Sequence, residues 1–366
     1  MNGFPGKLGL QQRVLPSYRV PFFDLLASHC KSGLSLFAGK ARRAEMIIDG
    51  ETQTAKRVMA DNLHLFGGSL YLCFQRGFIR WLEDWNPDAL IMEANPRYLA
   101  SPSAVSWMHK RGRKVLGWGL GAPKRSELWK RFVSQFDGMI AYSQRGADEY
   151  AALGFPRERI FVAHNSVSPA PTSPIPSRPS IFNPSTLFRQ TGQRLRPTLL
   201  FVGRLQARKR VDSLLRACAE MESQPRLLIV GDGPERDSLQ TLASEAYPSA
   251  EFIGAKHGAE LKPYFEQADL FVLPGTGGLA VQEAMSYGLP VIVAKGDGTQ
   301  DDLVREKNGW QIEPENYSAL VSTMKNALSD TARLREMGKE SFRIVSEEIN
   351  IQKMAEIFIR ALNSLT

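Results

Sequence analysis

The sequence predicts an α/β protein with two doubly wound, Rossmann-like domains, and three observations support this class. The chain has 366 residues, whereas one domain usually holds roughly 100–200. In both halves, short apolar runs alternate with helical patterns, as expected for parallel strands covered by helices on both faces. A stretch dense in proline and serine, residues 168–186, separates the two halves.

The apolar runs place the strands. In the first half they cover residues 89–92, 114–118, 138–142 and 159–163. In the second half they cover residues 198–202, 226–230, 250–253, 270–273 and 290–293. Because these runs do not alternate with polar residues, they predict strands buried on both faces. Between them, residues 126–135 predict a helix with an apolar face formed by Leu128, Trp129, Phe132 and Val133.

The proline-rich stretch sets the domain boundaries. Proline removes backbone donors and restricts the residue before it, so this stretch predicts a stiff connector rather than a helix or strand. We therefore expect a first domain over residues 1–168, a linker over 169–195 and a second domain over 196–345. Residues 346–366 predict a C-terminal helix that crosses back to the first domain.

The positive charge is concentrated in the first half. The net charge is +8, and residues 1–168 hold 23 Lys and Arg against 14 Asp and Glu. Such asymmetry favours an anionic partner. The basic runs 109–114, 124–125 and 130–131, with Trp129 or Phe132, could dock on an anionic membrane. A helix packed on its own sheet is the alternative. We find no motif typical of nucleic-acid binding.

The composition also indicates the cellular compartment in which the protein is expected. No stretch approaches the roughly 18 apolar residues of a membrane span, and the N-terminus has no apolar signal region. Cys30, Cys73 and Cys218 are few and widely spaced, which argues against disulfides and a cysteine zinc site. We expect a cytoplasmic protein that can lie peripherally on the inner face of the cell membrane.

The strongest chemical signal follows the strand at 198–202. Gly203 permits a sharp turn, Arg204 comes next, and Lys209 precedes a helix. In open α/β sheets, ligands bind at the carboxyl ends of strands. Arg offers a planar fork to phosphate oxygens and Lys a mobile charge, so this pair predicts a diphosphate site. The alternative is two surface cations at a helix start.

A second signal follows the strand at 270–273. A loop containing Gly275, Gly277 and Gly278 opens a helix that carries Glu283. Small residues before a helix expose backbone N–H groups that favour anions. A carboxylate one turn further on could bind the vicinal hydroxyls of a ribose. An ordinary solvated helix glutamate is the alternative.

A third signal, Gly231 and Gly233 after the strand at 226–230, partly matches the dinucleotide fingerprint. Arg236 stands where its third glycine belongs, so an NAD(P)-dependent oxidoreductase is a weaker alternative.

These motifs, in this order, closely resemble those of glycosyltransferase family 4. The likeness rests on FVGRL with Lys209 four residues later, IVGDGPE, FIGA, ADLFVLPG and GLAVQEAMSYGLPVI, and more loosely on residues 13–27, 141–160 and 165–167. It implies the GT-B fold, with two Rossmann-like domains facing a central cleft, nucleotide-sugar donors and retention of anomeric configuration.

The resemblance also implies roles for individual residues. Arg204 and Lys209 would act on the donor diphosphate, and Glu283, the second glutamate of the family's Glu-x7-Glu motif, would bind the ribose. Gly278 and Leu279 match the family's loop whose backbone N–H groups meet the phosphate or sugar. The other donor-binding residues that we expect are Gly203, Gly277 and Ile253.

The chain departs from the family pattern at three places. Gly275 stands where the motif has its first glutamate, so we expect an unusual sugar end of the site. In the first domain, a loop with Tyr18 and Arg19 at its tip replaces the usual glycine-rich loop. Leu120, after Trp118 and Gly119, stands where a histidine is common.

The predicted function is a retaining, hexosyltransferase-type glycosyltransferase of cell-envelope or exopolysaccharide synthesis. It would move a sugar from a UDP- or GDP-sugar to a hydroxyl of a glycan or lipid-linked glycan. No cofactor or metal is required for this chemistry, although Mg²⁺ is compatible with it. A non-catalytic sugar-nucleotide binder or a GT-B epimerase is the alternative. The expected acceptor-side residues are Tyr18, Arg19, Trp118 and Gly119, with Glu93, Asn95 and Arg97 as further candidates.

Overall fold

A computed structural model describes residues 3–45, 47–122, 126–177, 196–222 and 224–365. The chain divides into two compact units. The first comprises Met1–Pro169 with Asn350–Thr366, and the second comprises Ala170–Ile349. Most of the expected linker, residues 178–195, lies outside the described residues, as do Lys124 and Arg125 of the basic runs.

Within the described part of the first unit, eight strands form one sheet in the order β4-β3-β2-β1-β5-β6-β7-β8. Every neighbouring pair is parallel except β3 and β4, which form an antiparallel pair. The strands are β1 (Leu8–Val14), β2 (Leu34–Gly39), β3 (Lys56–Leu65), β4 (Leu72–Arg76), β5 (Ala89–Glu93), β6 (Lys114–Gly119), β7 (Gly138–Ala141) and β8 (Ile160–Val162).

The helices of the first unit pack on this sheet and include the end of the chain. They are α1 (Val20–Ser28), α2 (Phe78–Trp85), α3 (Ser101–His109), α4 (Glu127–Val133), α5 (Gln144–Ala152) and, at the C-terminus, α13 (Ile351–Leu365). Phe358 of α13 packs edge-on against Phe22 of α1, with ring centroids 5.0 Å apart. The predicted return of the C-terminal helix to the first domain is confirmed.

The apolar runs in the sequence did not predict the first four strands, β1 to β4. Strand β1 carries Gln11, Gln12 and Arg13, so it does not read as an apolar run. Its two glutamines are nevertheless buried, and the Gln11 side chain donates a hydrogen bond to Gln75 of β4. Buried amides are tolerated when they are paired in this way.

In the described second unit, six parallel strands follow the order β11-β10-β9-β12-β13-β14. They are β9 (Thr198–Val202), β10 (Arg226–Val230), β11 (Glu251–Gly254), β12 (Leu270–Leu273), β13 (Val291–Ala294) and β14 (Gly309–Ile312). The helices are α6 (Val211–Ala219), α7 (Arg236–Ala246), α8 (Lys262–Gln267), α9 (Ala280–Ser286), α10 (Thr299–Leu303), α11 (Tyr317–Ser329) and α12 (Thr331–Glu347).

The strand orders place the ligand-binding edges. In the second sheet β9 lies between β10 and β12, so the order reverses between β9 and β12. In the first sheet it reverses between β1 and β5. Ligands of open α/β sheets bind at such switch points, beyond the carboxyl ends of the strands. In the second unit that edge holds the loops after Val202 and Leu273, which carry the two strongest motifs.

Candidate functional site

In the second unit, the loops after β9 and β12 are bonded to each other. The Thr276 N–H donates to the carbonyl oxygen of Arg208 at 3.1 Å, and the Arg208 guanidinium donates back to the Thr276 carbonyl at 3.3 Å. These contacts join the segment that carries Arg204 and Lys209 to the glycine loop before Glu283. The fold therefore brings the two strongest sequence motifs into one site.

Lys209 holds the glycine loop. Its side chain is buried, and its Nζ donates to the carbonyl oxygens of Thr276, at 2.9 Å, and of Gly277. Burial, followed by the nearby Arg208 charge, lowers the pKa of Lys209 to about 8. An ammonium has three donors, so one remains for an anion. Lys209 thus has a structural role beside the predicted phosphate role.

Arg204 and Gly203 lie directly after β9, and both are partly buried. The Gly203 N–H donates to the Val230 carbonyl at 3.0 Å. A Cβ on Gly231 would overlap the Gly203 carbonyl oxygen, and one on Gly233 would lie 2.8 Å from the Leu205 carbonyl carbon. The Gly-x-Gly after β10 therefore lets two protein loops approach. That close contact accounts for both glycines without a dinucleotide pyrophosphate.

Gly275 is packed against the Lys209 segment. A Cβ at this position would lie 2.5 Å from the Lys209 carbonyl carbon and would overlap the Arg208 carbonyl oxygen and the Lys209 Cα. These atoms belong to the backbone, so no side-chain rotation relieves the overlap. The glutamate that the family pattern has here cannot be accommodated without moving the loop that positions Lys209.

Glu283 lies in the first turn of α9 and is partly buried. Burial raises the pKa of its carboxyl to about 7. Among the described residues, its carboxylate has no hydrogen-bond or ion-pair partner. The loop before it presents the backbone N–H groups of Gly277, Gly278 and Leu279, none of which finds an acceptor in the described part of the chain.

The other donor-side residues are placed as follows. Gly277 has φ +66°, in the left-handed region that glycine tolerates. A Cβ on Gly278 would overlap Leu273 at the end of β12. Leu279 is exposed, whereas Ile253 is partly buried on the edge strand β11 and packs against the hydrophobic core. Ile253 thus has a packing role.

In the first unit, a pocket of about 740 Å³ lies beyond the ends of β5 and β6. It gathers five of the candidate acceptor-side residues, together with the aromatic side chains of Trp129 and Tyr142. The five are Glu93, Asn95, Arg97, Trp118 and Gly119. The Nε1 of the buried Trp118 has no hydrogen-bond partner in the described structure. The pocket therefore combines aromatic faces with charged and amide groups.

Glu93 is held at this pocket by a network that the sequence analysis did not identify. Its carboxylate accepts hydrogen bonds from the Arg13 N–H, at 3.1 Å, and from the Tyr98 hydroxyl. Burial raises the pKa of Glu93. The Arg13 guanidinium is bonded to Glu45 at 3.0 Å. Burial raises the pKa of Glu45, but hydrogen bonds from Arg13 and Arg42 outweigh it and lower that pKa to about 2.

Arg19 and Tyr18 do not line the pocket. Arg19 is buried, and its guanidinium donates to the Ser166 carbonyl at 3.2 Å and to the Asn165 side chain. It also lies 5.5 Å from the Trp118 ring. These contacts give Arg19 a structural role within the first unit, while Tyr18 remains exposed beside it.

Three residues of the predicted membrane-docking runs make contacts within the first unit. His109 and Lys114 both contact Asp137, and Arg111 stacks 3.8 Å from the Trp107 ring centroid. Phe132 is buried in the hydrophobic core, which agrees with the alternative of a helix packed on its own sheet and not with a place at a membrane interface. Leu128, expected on the packed face of the helix, is 69% exposed.

The described residues contain neither a candidate metal site nor a candidate membrane-spanning helix. Within those ranges, no group of three His, Cys, Asp or Glu side chains is arranged to hold a metal ion. No helix among them is long and apolar enough to cross a bilayer.

Residues 186–343 match the family model described as glycosyl transferases, group 1. The match covers 158 of the 366 residues and makes the second half of the chain similar to this family. The chain is 30% identical over 243 residues to a GDP-mannose-dependent alpha-mannosyltransferase of Mycolicibacterium smegmatis, a match covering 65% of the chain and 61% of that protein. It is 28% identical over 247 residues to the putative colanic acid biosynthesis glycosyltransferase WcaL of Escherichia coli, covering 63% and 56%.

The chain is also 31% identical over 172 residues to sulfoquinovosyl transferase SQD2 of Arabidopsis thaliana, a match covering 43% of the chain and 33% of that protein. The chain thus spans between about a third and three fifths of these curated relatives.

Solved structures of glycosyltransferases share the fold along nearly the whole chain. The lipopolysaccharide outer core galactosyltransferase WaaB matches with a TM-score of 0.70 and 17% identity, covering 98% of this chain and 100% of that one. Anabaena HepE in complex with UDP matches with a TM-score of 0.70 and 17% identity, covering 98% and 99%. The predicted GT-B fold class is confirmed.

Proposed function

We propose that the chain is a glycosyltransferase that takes a sugar from a nucleotide diphosphate donor, bound at the joined loops of the second unit. The main support for this proposal is the combination of charged and hydrogen-bonding groups at these loops. The buried Lys209 ammonium, Arg204 and unpaired N–H groups at Gly277 to Leu279 lie at the switch point of a sheet in the family-matched unit. Such a site suits a diphosphate.

In this proposal, the remaining Lys209 donor and the Arg204 fork bind diphosphate oxygens, and the loop N–H groups meet phosphate or sugar. Glu283 accepts hydrogen bonds from the ribose hydroxyls, because its carboxylate has no other partner among the described residues. The names of relatives mention GDP-mannose, and HepE is described in complex with UDP and with UDP-glucose. The proposal therefore includes both uridine and guanosine diphosphate sugars as donors.

The proposed chemistry is front-face transfer with retention of configuration. The acceptor hydroxyl attacks the anomeric carbon, the bond to the diphosphate breaks, and the leaving diphosphate takes the hydroxyl proton. The protein contributes by positioning the reactants and by stabilising negative charge on the leaving group. Because Gly275 leaves no space for a carboxylate, this step relies on no protein nucleophile at that position.

We propose the first-unit pocket as the acceptor site, for a hydroxyl of a glycan or lipid-linked glycan. Aromatic faces of Trp129 and Tyr142 suit sugar rings, and Glu93, Asn95 and Arg97 offer groups for hydroxyls and anions. Envelope or exopolysaccharide synthesis in the cytoplasm is part of the proposal. It is supported by the colanic acid and lipopolysaccharide names among similar proteins, and by three free, buried cysteines.

A thermal-shift screen against UDP, GDP and their sugars tests the donor site. We expect one nucleotide series to raise the melting temperature of the wild type. The shift should be lost in Lys209→Ala and kept in Lys325→Ala, which removes an exposed lysine of the same unit. If Lys209→Ala keeps the full shift, the assignment fails.

A turnover assay then separates transferase from binder. The alternative of a non-catalytic binder or an epimerase is favoured by Gly275 alone. Incubation of the stabilising nucleotide sugar with glycan or lipid-linked acceptors should release nucleoside diphosphate, and NMR of the product should show the donor's anomeric configuration. An inverted product would refute retention. Interconversion of donor sugars without transfer would identify an epimerase.

A further inference from the structure

The β3–β4 hairpin presents an apolar surface to solvent. Six large apolar side chains that are exposed in the structure lie between residues 48 and 74, and five of them are on the hairpin. The five, here called the hairpin patch, are Met59, Leu63, Phe66, Leu70 and Phe74. Single exposed apolar residues are ordinary, but a contiguous group marks an interaction surface.

The patch follows from the pairing of the two strands. Leu63 faces Phe74 across the ladder, and Leu65 faces Leu72. Residues directly opposite each other share a face of the sheet. On the other face Cys73 and Gln75 are buried, so this hairpin has a second apolar face where an antiparallel pair normally has a polar one. The turn adds Phe66 and Leu70, which are 73% and 72% exposed.

The sequence around the patch has a small excess of positive charge: residues 40–76 hold six Lys and Arg against four Asp and Glu. Asp61 is the only acidic residue between positions 56 and 76, and Arg76, opposite it in the ladder, pairs with it at 3.5 Å. Arg42 stacks 4.8 Å from the ring centroid of Tyr71, next to Leu70. Lys40 and Arg43, in the same loop as Arg42, are exposed. Arg42 is also ion-paired with Glu45 at 3.0 Å, so the cations that the patch offers to an anionic surface are the exposed Lys40 and Arg43.

We propose that this hairpin is a membrane-docking element, which inserts its apolar tip into a bilayer surface that contains anionic lipid. Apolar side chains flanked by Lys and Arg are the combination that binds such surfaces. The patch also continues towards the first-unit pocket, because Leu72, paired with Leu65, lines that pocket. A membrane partner of this kind was expected from the sequence, but on the basic runs around α4 rather than on this hairpin.

Vesicle co-sedimentation tests the proposal without any assay of sugar transfer. The wild type should bind vesicles of phosphatidylcholine with phosphatidylglycerol at least tenfold more tightly than phosphatidylcholine alone. Phe66→Ser with Leu70→Ser should weaken that binding about a hundredfold, since each buried apolar side chain contributes about tenfold. Leu128→Ser is the matched control, because Leu128 is 69% exposed on α4, and it should bind as the wild type does.

A labelling experiment distinguishes insertion from adsorption. The native cysteines are buried, so a polarity-sensitive dye can be attached selectively at Phe66→Cys or Leu128→Cys. Anionic vesicles should blue-shift the emission of the dye at position 66 only.

Three results would overturn the proposal. They are wild-type protein that ignores anionic vesicles, a hairpin variant that binds them normally, and a wild-type dimer that the hairpin substitutions dissociate without any effect on vesicles. The last result would identify a second copy of the chain as the occupant.

Discussion

Restoring the family's carboxylate by Gly275→Glu should damage this protein rather than improve it. A Cβ at position 275 meets three backbone atoms of Arg208 and Lys209 at 2.5 Å or less. The loop must therefore move, and with it the two hydrogen bonds from Lys209 to Thr276 and Gly277. Overpacking a well-packed position costs about 1–3 kcal/mol, and backbone overlap places this case near 3.

The magnitude can be converted into a melting temperature. For domains of about 150–250 residues, 1 kcal/mol corresponds to roughly 2–4 °C, so the second unit should melt about 6–12 °C lower. Because the overlap arises at the Cβ, Gly275→Ala should show most of the same loss. Gly67→Ala is the matched control, since a Cβ there has no neighbour within 4 Å.

Differential scanning calorimetry, with and without the stabilising nucleotide, measures both effects. We expect Gly275→Glu and Gly275→Ala to melt early and to lose the nucleotide-induced shift, while Gly67→Ala behaves as the wild type. A Gly275→Glu variant that melts normally and turns over its donor faster would refute the reasoning. It would show that position 275 has space for the carboxylate.

Four further predictions follow from the same contacts. Lys209→Ala should lower turnover about a hundredfold or more, since a lost transition-state donor costs about 2.7–4 kcal/mol; near-normal turnover beside the Lys325→Ala control would contradict this. Donor affinity should be greatest between about pH 7 and about pH 8, because the Glu283 carboxylate forms above the first value and Lys209 loses its proton above the second. Calorimetric titration at a series of pH values should show that Glu283→Gln removes the fall in affinity on the acidic side. Lys209→Arg should remove the fall on the alkaline side. Glu45 has its pKa lowered to about 2, so its ion pairs should stabilise the fold above its ordinary pKa of 4.5 and be lost as pH falls towards 2; urea unfolding of the wild type should show this loss, and Glu45→Gln should lack it. Glu93→Gln should raise the KM for the acceptor and leave donor affinity unchanged; a changed donor affinity would contradict an acceptor role.

Much of the fold could be predicted from local patterns. The central strands β5, β6, β7, β9, β10, β12 and β13 are nearly continuous apolar runs, because parallel strands covered on both faces have no polar face. Strand β1 could not be found this way, since the side chain of its buried Gln11 is paired with Gln75, more than sixty residues away. The β3–β4 hairpin was missed because its apolar residues lie on a face open to solvent.

The candidate donor site was predicted at the level of residue type and place. Arg204, Lys209 and Glu283 follow strands whose carboxyl ends meet at one edge, a consequence of parallel strand order that the motifs already imply. The groups that those side chains contact could not be predicted from the sequence. Lys209 bonds backbone carbonyls of another loop, and no local pattern encodes such a contact.

The sequence by itself determined the α/β class, the two-domain division as a prediction, the resemblance to a glycosyltransferase family, and the chemical groups available for a diphosphate. Only the tertiary structure decided what Gly275 means. The backbone of the Lys209 segment occupies the space that a side chain at position 275 would need. The glycine is therefore required for the position from which Lys209 bonds the neighbouring loop. The sequence gives the residue types along the chain, whereas steric overlap depends on which backbone atoms from distant segments are packed together in the fold.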